Sequence, residues 1–354
     1  MHRFEKRLQF PHKQATKIYQ QVARIDAVKA QWQRVNTLSP QMTERLYTSV
    51  LITSTGASTR IEGSRLSDEQ VQALFRSQRI QPFKTRDEQE VGGYHEVLQT
   101  VFEQWDAILF SENMMLGLHQ QLLKYSQKDQ RHKGQYKFGS NRVEARDAAG
   151  KLIGIVFDPT PVHLVEKEIH ELLVWTKTAL EQETFPALLV IANFIFEFLA
   201  IHPFQDGNGR LSRILTNLLL LQQGYAFCPF ISHEKIIENN KADYYRALNK
   251  TQKSWKKESE DLSTWVVFFL QAIEKQAEQA LILVTEEPTE LFLSDFQAQV
   301  WQFAQQTPNF SRREVIEATG LNPRTVDHSL RKLLDMNKLE RYGQGRATRY
   351  KVRE

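Results

Sequence analysis

Only one cysteine, Cys228, occurs among 354 residues, which excludes an intramolecular disulfide and a cysteine-built zinc centre. That scarcity fits a reducing compartment. The opening stretch "MHRFEKRLQFPHKQ" has no apolar core, so a secretory signal is not expected there. Long apolar runs are missing too. The longest, "ALLVIANFIFEFLAI" from Ala187 to Ile201, is broken by Asn193 and Glu197, and it falls short of the roughly 20 residues a bilayer requires. It reads as a buried core helix, so no membrane association and a cytoplasmic location are expected. Repeats, heptads and low-complexity segments are absent. The net charge is only +4, too little for the whole chain to act as an electrostatic nucleic-acid binder. The charge is uneven, however. Ser311 to Glu354 carries 11 Lys or Arg against 6 Asp or Glu, which leaves the rest of the chain at about −1.

What is present is the composition of a soluble globular chain, 41% hydrophobic and 25% charged, with enough residues for two or three domains. Helical periodicity dominates. Residues 12 to 37 place Ile18, Val22, Ile25, Val28 and Trp32 at spacings of three and four. Pro40 opens a second helix, and Ser67 is a candidate N-cap for a third. Further helices are expected over "DEQEVGGYHEVLQTVFEQW", "SENMMLGLHQQLLKY", 163–181, 186–201, 209–223, 239–252 and 260–284. Gly92 and Gly93 suggest close helix packing or a bend. The segment 134–157 differs: residues of β type flank the turn-rich "RDAAG", predicting a hairpin or flap. "EEPTE" at 286–290 is a candidate domain boundary. Beyond it lie an amphipathic helix, a helix–turn–helix with Gly320 at the turn and Pro323 near the next start, and a basic hairpin around "GQG". That order describes a winged helix-turn-helix.

The unusual stretch is "IHPFQDGNGRLSRILTNLLLL", residues 201 to 221. A plain helix connection needs a glycine; this one adds His202, Asp206, Asn208 and Arg210. Gly207 and Gly209 allow positive φ and close backbone approach. The free N–H groups of the following helix favour a phosphate. Arg210 lies in the first turn, where a cation is disfavoured by roughly 0.3–1 kcal/mol unless an anion joins it, and Arg213 follows on the same face. Asp206 is a hard oxygen ligand suited to Mg²⁺, and His202 can accept a proton near neutrality. Base, metal ligand, anion nest and two arginines are the equipment of phosphoryl or nucleotidyl transfer. Helix capping alone would account for Asp206 and Asn208, but not for the histidine and both arginines.

"HPFQDGNGRLSR" resembles the signature of the Fic family of protein adenylyltransferases, His-Pro-Phe-x-Asp-Gly-Asn-Gly-Arg-x-x-Arg, with every fixed position present. The resemblance extends over roughly residues 45 to 270. It implies a mainly α fold whose core binds ATP and Mg²⁺ (Mn²⁺ being an alternative) and moves AMP to a Ser, Thr or Tyr hydroxyl of a target protein or of the chain itself. By that resemblance His202 deprotonates the hydroxyl and Asp206 holds the metal. Asn208 and the Gly207 and Gly209 amides hold the α and β phosphates, and Arg210 and Arg213 take the β and γ phosphates. Phe204 anchors the loop in the core. The family docks its target at the flap, here 134–143, where an added strand could pair. "NKADYYRAL" resembles the family's Tyr-Tyr segment and places Tyr244 beside the adenine, although a core tyrosine satisfies the same pattern. "STRIEGS" resembles the inhibitory motif Ser/Thr-x-x-x-Glu-Gly/Asn, with Ser58, Glu62 and Gly63 matching; Glu62 would occupy Arg213.

The expected organisation is therefore an N-terminal helical extension at 1–44, a Fic core at 45–285 with inhibitory segment 58–63 and flap 134–143, and a C-terminal winged helix at 291–354. The family's frequent self-association implies a homodimer. Whether the winged helix meets DNA or protein stays open, as does the alternative of a DNA-binding regulator that uses a Fic core to sense nucleotide.

Overall fold

The computed structural model describes residues 2–34, 40–77, 83–146, 152–285, 293–336, 338–343, 345 and 348–353. Helices α1 to α6 span Arg3–Lys6, His12–Arg34, Pro40–Ile61, Asp68–Ser77, Arg86–Gln104 and Glu112–Leu122. Strands β1 (Val143–Arg146) and β2 (Leu152–Phe157) follow. Next come α7 (Val165–Glu181), α8 (Ala187–Ile201), α9 (Asn208–Gln222), α10 (His233–Asn239), α11 (Lys241–Gln252) and α12 (Ser263–Thr285). The chain ends with α13 (Asp295–Gln306), α14 (Arg312–Thr319), α15 (Pro323–Asp335), β3 (Leu339–Tyr342) and β4 (Arg349–Val352). It forms two compact units, Met1–Asn36 with Thr43–Leu281, and Thr37–Met42 with Ile282–Glu354. "EEPTE" at 286–290 lies outside the described residues.

The mainly α fold follows the periodicity closely. One exception is the helix expected over 239–252. It is two helices, because Asn240 at φ −120° and ψ 28° leaves the helical region between α10 and α11. The paired glycines of α5 have a packing reason: a Cβ on Gly93 would lie 2.0 Å from the Leu122 carbonyl oxygen, so only glycine lets α5 and α6 meet so closely.

Helix α8 is the axis of the first unit. Every residue from Leu188 to Ile201 is buried, as expected of a helix apolar on all sides. Its two polar interruptions receive the N-terminus. Arg7 Nε donates to Asn193 Oδ1 at 2.5 Å and Arg7 Nη1 to Glu197 Oε2 at 2.6 Å. Arg3 Nη2 and Trp255 Nε1 also donate to the Glu197 carboxylate, at 2.8 and 3.0 Å. Asn193 Nδ2 donates to Phe4 O at 3.2 Å. Residues 1–44, expected as an extension of the core, thus pack into it: Phe4, Leu8, Ile18, Val22 and Ile25 are all buried in the same cluster.

Arg7→Met should therefore lower stability by about 3–5 kcal/mol, because it strands a buried carboxylate that still needs a partner; urea unfolding measures this. Burial pushes the Glu197 carboxyl up, but Arg7 and Arg3 beside it hold it below its usual value of 4.5. The folded group is the stronger acid. Its contribution is present above pH 4.5 and lost as the pH falls below that, and Arg7→Met should flatten this acid limb.

The second unit has its own core of Val300, Trp301, Phe310, Val315, Val326, Leu330 and Leu333, closed by Leu339 and Tyr350. Ser311 caps α14 within a capping box, Gly320 ends it at φ 67°, and Asn322 caps α15. Strand β3 pairs antiparallel with β4 from Leu339↔Val352 to Tyr342↔Arg349, and Phe310 forms an antiparallel bridge with Tyr350.

Candidate active site

Helix α8 ends at His202, whose φ of 53° and ψ of 60° lie in the left-handed region. That conformation is uncommon for a residue other than glycine, and its surroundings hold it. His202 N–H donates to Phe198 O at 2.9 Å, and Nδ1 lies 3.2 Å from Leu199 O. A carbonyl can only accept, so Nδ1 carries the proton and Nε2 is the basic atom of the neutral ring. Burial pushes the His202 pKa below its usual 6.5, and the Leu199 hydrogen bond only partly offsets this. The ring is therefore a neutral base at physiological pH.

The loop from Pro203 to Gly207 is fastened from three sides. Phe204 is fully buried and stacks on the His119 ring at 3.7 Å. His119 Nδ1 accepts from Gly134 N–H, so its Nε2–H donates to Asp206 O, at 3.0 Å. The segment 134–142 forms the second side: Lys137 N–H donates to Pro203 O, and Asn141 Nδ2 donates to His202 O and Phe204 O. The third is Asn208 itself. Its Oδ1 accepts from Phe204 N–H at 2.9 Å and its Nδ2 donates to Phe204 O at 2.8 Å. This corrects two expectations. The Asn208 side chain is committed to closing the loop rather than directed at phosphate. Of the flap at 134–143, only Val143 is strand; 134–142 is irregular and supports the loop, while the hairpin lies further on, β1 against β2. The turn "RDAAG" lies mostly outside the described residues.

The two arginines, expected to share one phosphate site, have different partners. Arg210 Nη2 reaches Asp206 Oδ1 at 3.2 Å, and its Nη1 lies 3.3 Å from Glu90 Oε2. Arg86 completes this group, with Nε on Glu90 Oε1 at 2.6 Å and Nη2 on Asp206 Oδ2 at 3.2 Å. The Asp206 carboxylate also accepts from Gly207 N–H at 2.6 Å. Burial pushes its pKa up, but Arg210, the Gly207 bond and Arg86 together bring it below 3.8.

Arg213 turns to α3. Its Nε donates to Ser58 Oγ at 2.8 Å, and its Nη2 donates to Ser58 O at 3.0 Å and to Glu62 Oε1 at 2.8 Å. Burial opposes the Arg213 charge, yet the Glu62 carboxylate raises its pKa above the usual value. Ser58 and Glu62, four residues apart at the end of α3, therefore grip one guanidinium. Glu62 follows directly on α3, a helix end where a carboxylate is unfavourable; Arg213 offsets that. The same carboxylate meets the start of α9, where a negative charge is favourable. Helix α9 begins at Gly207, φ 85°, with no side-chain cap and no acid of its own in the first turn. A Cβ on Gly209 would lie 2.2 Å from Glu62 Oε1, so glycine there leaves room for an anion over the helix start.

Glu62, His202, Gly209, Tyr244 and Tyr245 line one cavity of about 150 Å³, walled by Phe157, Leu199 and Leu248. Tyr244 is buried against Trp265 and Phe268, whereas Tyr245 is 37% exposed. Burial raises both phenols, Tyr245 to about 12. A larger cavity of about 600 Å³, between Asp26, Lys29, Glu183 and Tyr225, contains none of the loop residues. Sequence reading missed Arg86, Glu90, His119, Lys137 and Asn141. They stand far from the loop in the chain and in no recognisable spacing with it. The histidine inside "GLHQQLLKY", on a helix face with leucines, was the one legible hint.

The family model described as Fic/DOC family matches residues 109–220, which include the loop and all of α8. The chain belongs to the Fic family. A probable protein adenylyltransferase of Aquifex aeolicus is 34% identical over 86 residues, 24% of this chain and 26% of that relative. Protein adenylyltransferase Fic of Drosophila melanogaster is 30% identical over 124 residues, 34% of this chain and 23% of the relative. The chain thus aligns with about a quarter of the length of these curated relatives. Among solved structures, a Fic family protein from Desulfovibrio desulfuricans is 26% identical with a TM-score of 0.62, over 95% of both chains. Fic-1 from C. elegans, 18% identical with a TM-score of 0.61 over 77% of this chain and 74% of that one, shares the Fic fold.

Proposed function

We propose that the chain is a protein adenylyltransferase, moving AMP from ATP to a Ser, Thr or Tyr hydroxyl of a target protein and of itself, and that Glu62 restrains it. The observation carrying this reading is the shared cavity: a neutral histidine base, an uncapped helix start and a carboxylate seated over that start meet in one place. In the reaction the hydroxyl oxygen bonds to the α-phosphorus and the bond from that phosphorus to the bridging oxygen breaks. Pyrophosphate leaves, and the hydroxyl proton passes to His202 Nε2. The first N–H groups of α9 receive phosphate oxygens, with Gly207 and Gly209 keeping the approach clear. Arg210 and Arg213 supply positive charge to the outer phosphates once their carboxylate partners give way. Tyr244 and Tyr245 form the adenine side of the cavity.

Asp206 is the proposed metal ligand. Among the described residues no group of three or more His, Cys, Asp or Glu could hold an ion. One carboxylate together with substrate phosphates is a common Mg²⁺ arrangement. The Asp206 carboxylate already draws two guanidinium groups, so its surroundings suit a cation. When bound, Mg²⁺ or Mn²⁺ neutralises charge on the phosphates of the leaving group. The target would add a strand to the β1–β2 hairpin, and the assembly is proposed as a homodimer in the cytoplasm.

Incubating the protein and a cell lysate with α-labelled ATP, followed by mass spectrometry of labelled proteins, tests the reading. The rate should also fall on the acid side. His202 must be neutral to act, and its pKa lies below 6.5, so the rate should level off from about pH 6.5 upward. A pH–rate profile with a midpoint above 6.5 would contradict this assignment.

A further inference from the structure

The second unit presents a face that the transfer reading does not use. In α15 the apolar residues Val326, Leu330 and Leu333 are buried, and the opposite side is exposed. Arg324, His328 and Arg331, spaced by four and three, form the centre of that outer side, and Lys332 flanks it. Among the described residues Arg324, Arg331 and Lys332 make no ion pair. The nearby acid is already claimed: Asp327 is bound by Arg312 from α14, with Arg312 Nη2 at 2.9 Å from Oδ2. Arg312 thereby removes the one negative charge in the first half of the face. Beyond α15, Arg341 and Tyr342 are exposed on β3.

We propose that α15 and the β3–β4 hairpin form a docking surface for duplex DNA, with α15 in the major groove. A helix of 13 residues is about 20 Å long and about 10–12 Å across with its side chains, matching a groove about 12 Å wide. The order of α14, a tight glycine turn and α15 is that of a helix-turn-helix, in which the second helix enters the groove and its N-terminal residues meet base edges. Arg324 and His328 occupy that N-terminal half. Arg331 and Lys332, one to two turns further, reach phosphates, and Arg341 on the hairpin does the same beside the groove. Their spare positive charge complements a polyanion and would release its counterions.

The test uses the full chain and a fluorescent pool of random-sequence duplexes about 20 base pairs long, followed by anisotropy between 50 and 200 mM salt. The wild type should bind, with log affinity falling linearly against log salt. Arg324→Gln/Arg331→Gln should weaken binding at least tenfold and reduce the slope by about 2, one for each positive charge withdrawn from the duplex. Arg313→Gln, an exposed arginine of α14 paired with Glu317, should change neither. Thermal melting confirms that the double variant is folded, and Arg324→Lys/Arg331→Lys should restore the slope. Absence of salt-dependent binding by the wild type would overturn the proposal, as would a wild-type slope in the glutamine variant. A surface made for acidic protein would bind a polyglutamate peptide as tightly as the duplex, and that result too would overturn it.

Discussion

Replacing His202 by alanine should lower AMP transfer by about 10²–10⁴-fold, the usual cost of losing a general base, while ATP binding persists. The reason is local. The imidazole is the group placed to take the hydroxyl proton, whereas the phosphate side of the cavity rests on α9 and on Arg210 and Arg213. The loop itself is held by Phe204, Asn208, Asn141 and His119, none of which touches the His202 ring in forming its hydrogen bonds. Because residue 202 has positive φ, His202→Asn is the better folded control, since asparagine tolerates that conformation. Both variants should show the same ATP affinity as the wild type and the same loss of transfer. Near-normal labelling by either, with ATP bound, would remove His202 from the role of base.

Glu62→Gly should raise AMP transfer, including self-labelling, by on the order of 10²-fold, the range associated with correcting a reacting atom misplaced by about 1 Å. In the restrained form the Glu62 carboxylate takes Arg213 and covers Gly209, two of the places where a triphosphate would be held. ATP bound beside it would have its outer phosphates displaced and its α-phosphorus turned from in-line attack. A carboxylate occupies an arginine much as a phosphate does, which is why one glutamate can imitate the substrate's tail. The loss of stability should be modest, about 1 kcal/mol, since the Glu62 side chain is 32% exposed and solvent screens the pair. Ser58 remains on Arg213 and keeps it in place. Wild type, Glu62→Gly and Glu62→Gly/Arg213→Ala should be compared at equal folded concentration. A faster single variant that returns to low activity in the double is the expected pattern; no gain in a folded single variant at saturating ATP contradicts the clamp.

Much of this was readable in the chain because it is local. The spacing of Ile18, Val22 and Ile25, and the unbroken apolarity from Leu188 onward, produce helices by periodicity alone. His202, Asp206, Gly207, Gly209 and Arg210 stand together in nine residues, so their chemistry is adjacent before folding begins. What escaped depends on pairings across long separations. Nothing in residues 86–90 announces that Arg86 and Glu90 will meet Asp206 and Arg210, because an Arg and a Glu at spacing four are also an ordinary exposed helix pair. Nothing in "RFEKRL" reveals that Arg3 and Arg7 will neutralise a glutamate buried in α8, although a Glu inside an apolar helix implies that some cation must. The Asn208 assignment failed for a related reason. Polar residues in a loop can serve a ligand or the loop's own backbone, and only the fold shows that Phe204 takes both of its side-chain atoms.

The most direct test of the central claim is parallel labelling of Glu62→Gly with ATP carrying the label at either the α or the γ phosphate, read by autoradiography and by mass spectrometry of the modified residue. AMP transfer predicts that α label stays on a Ser, Thr or Tyr hydroxyl, that γ label leaves with pyrophosphate, and that His202→Ala in the same background removes the α signal. Retained γ label, or no label at all from a folded protein with ATP bound, would contradict it.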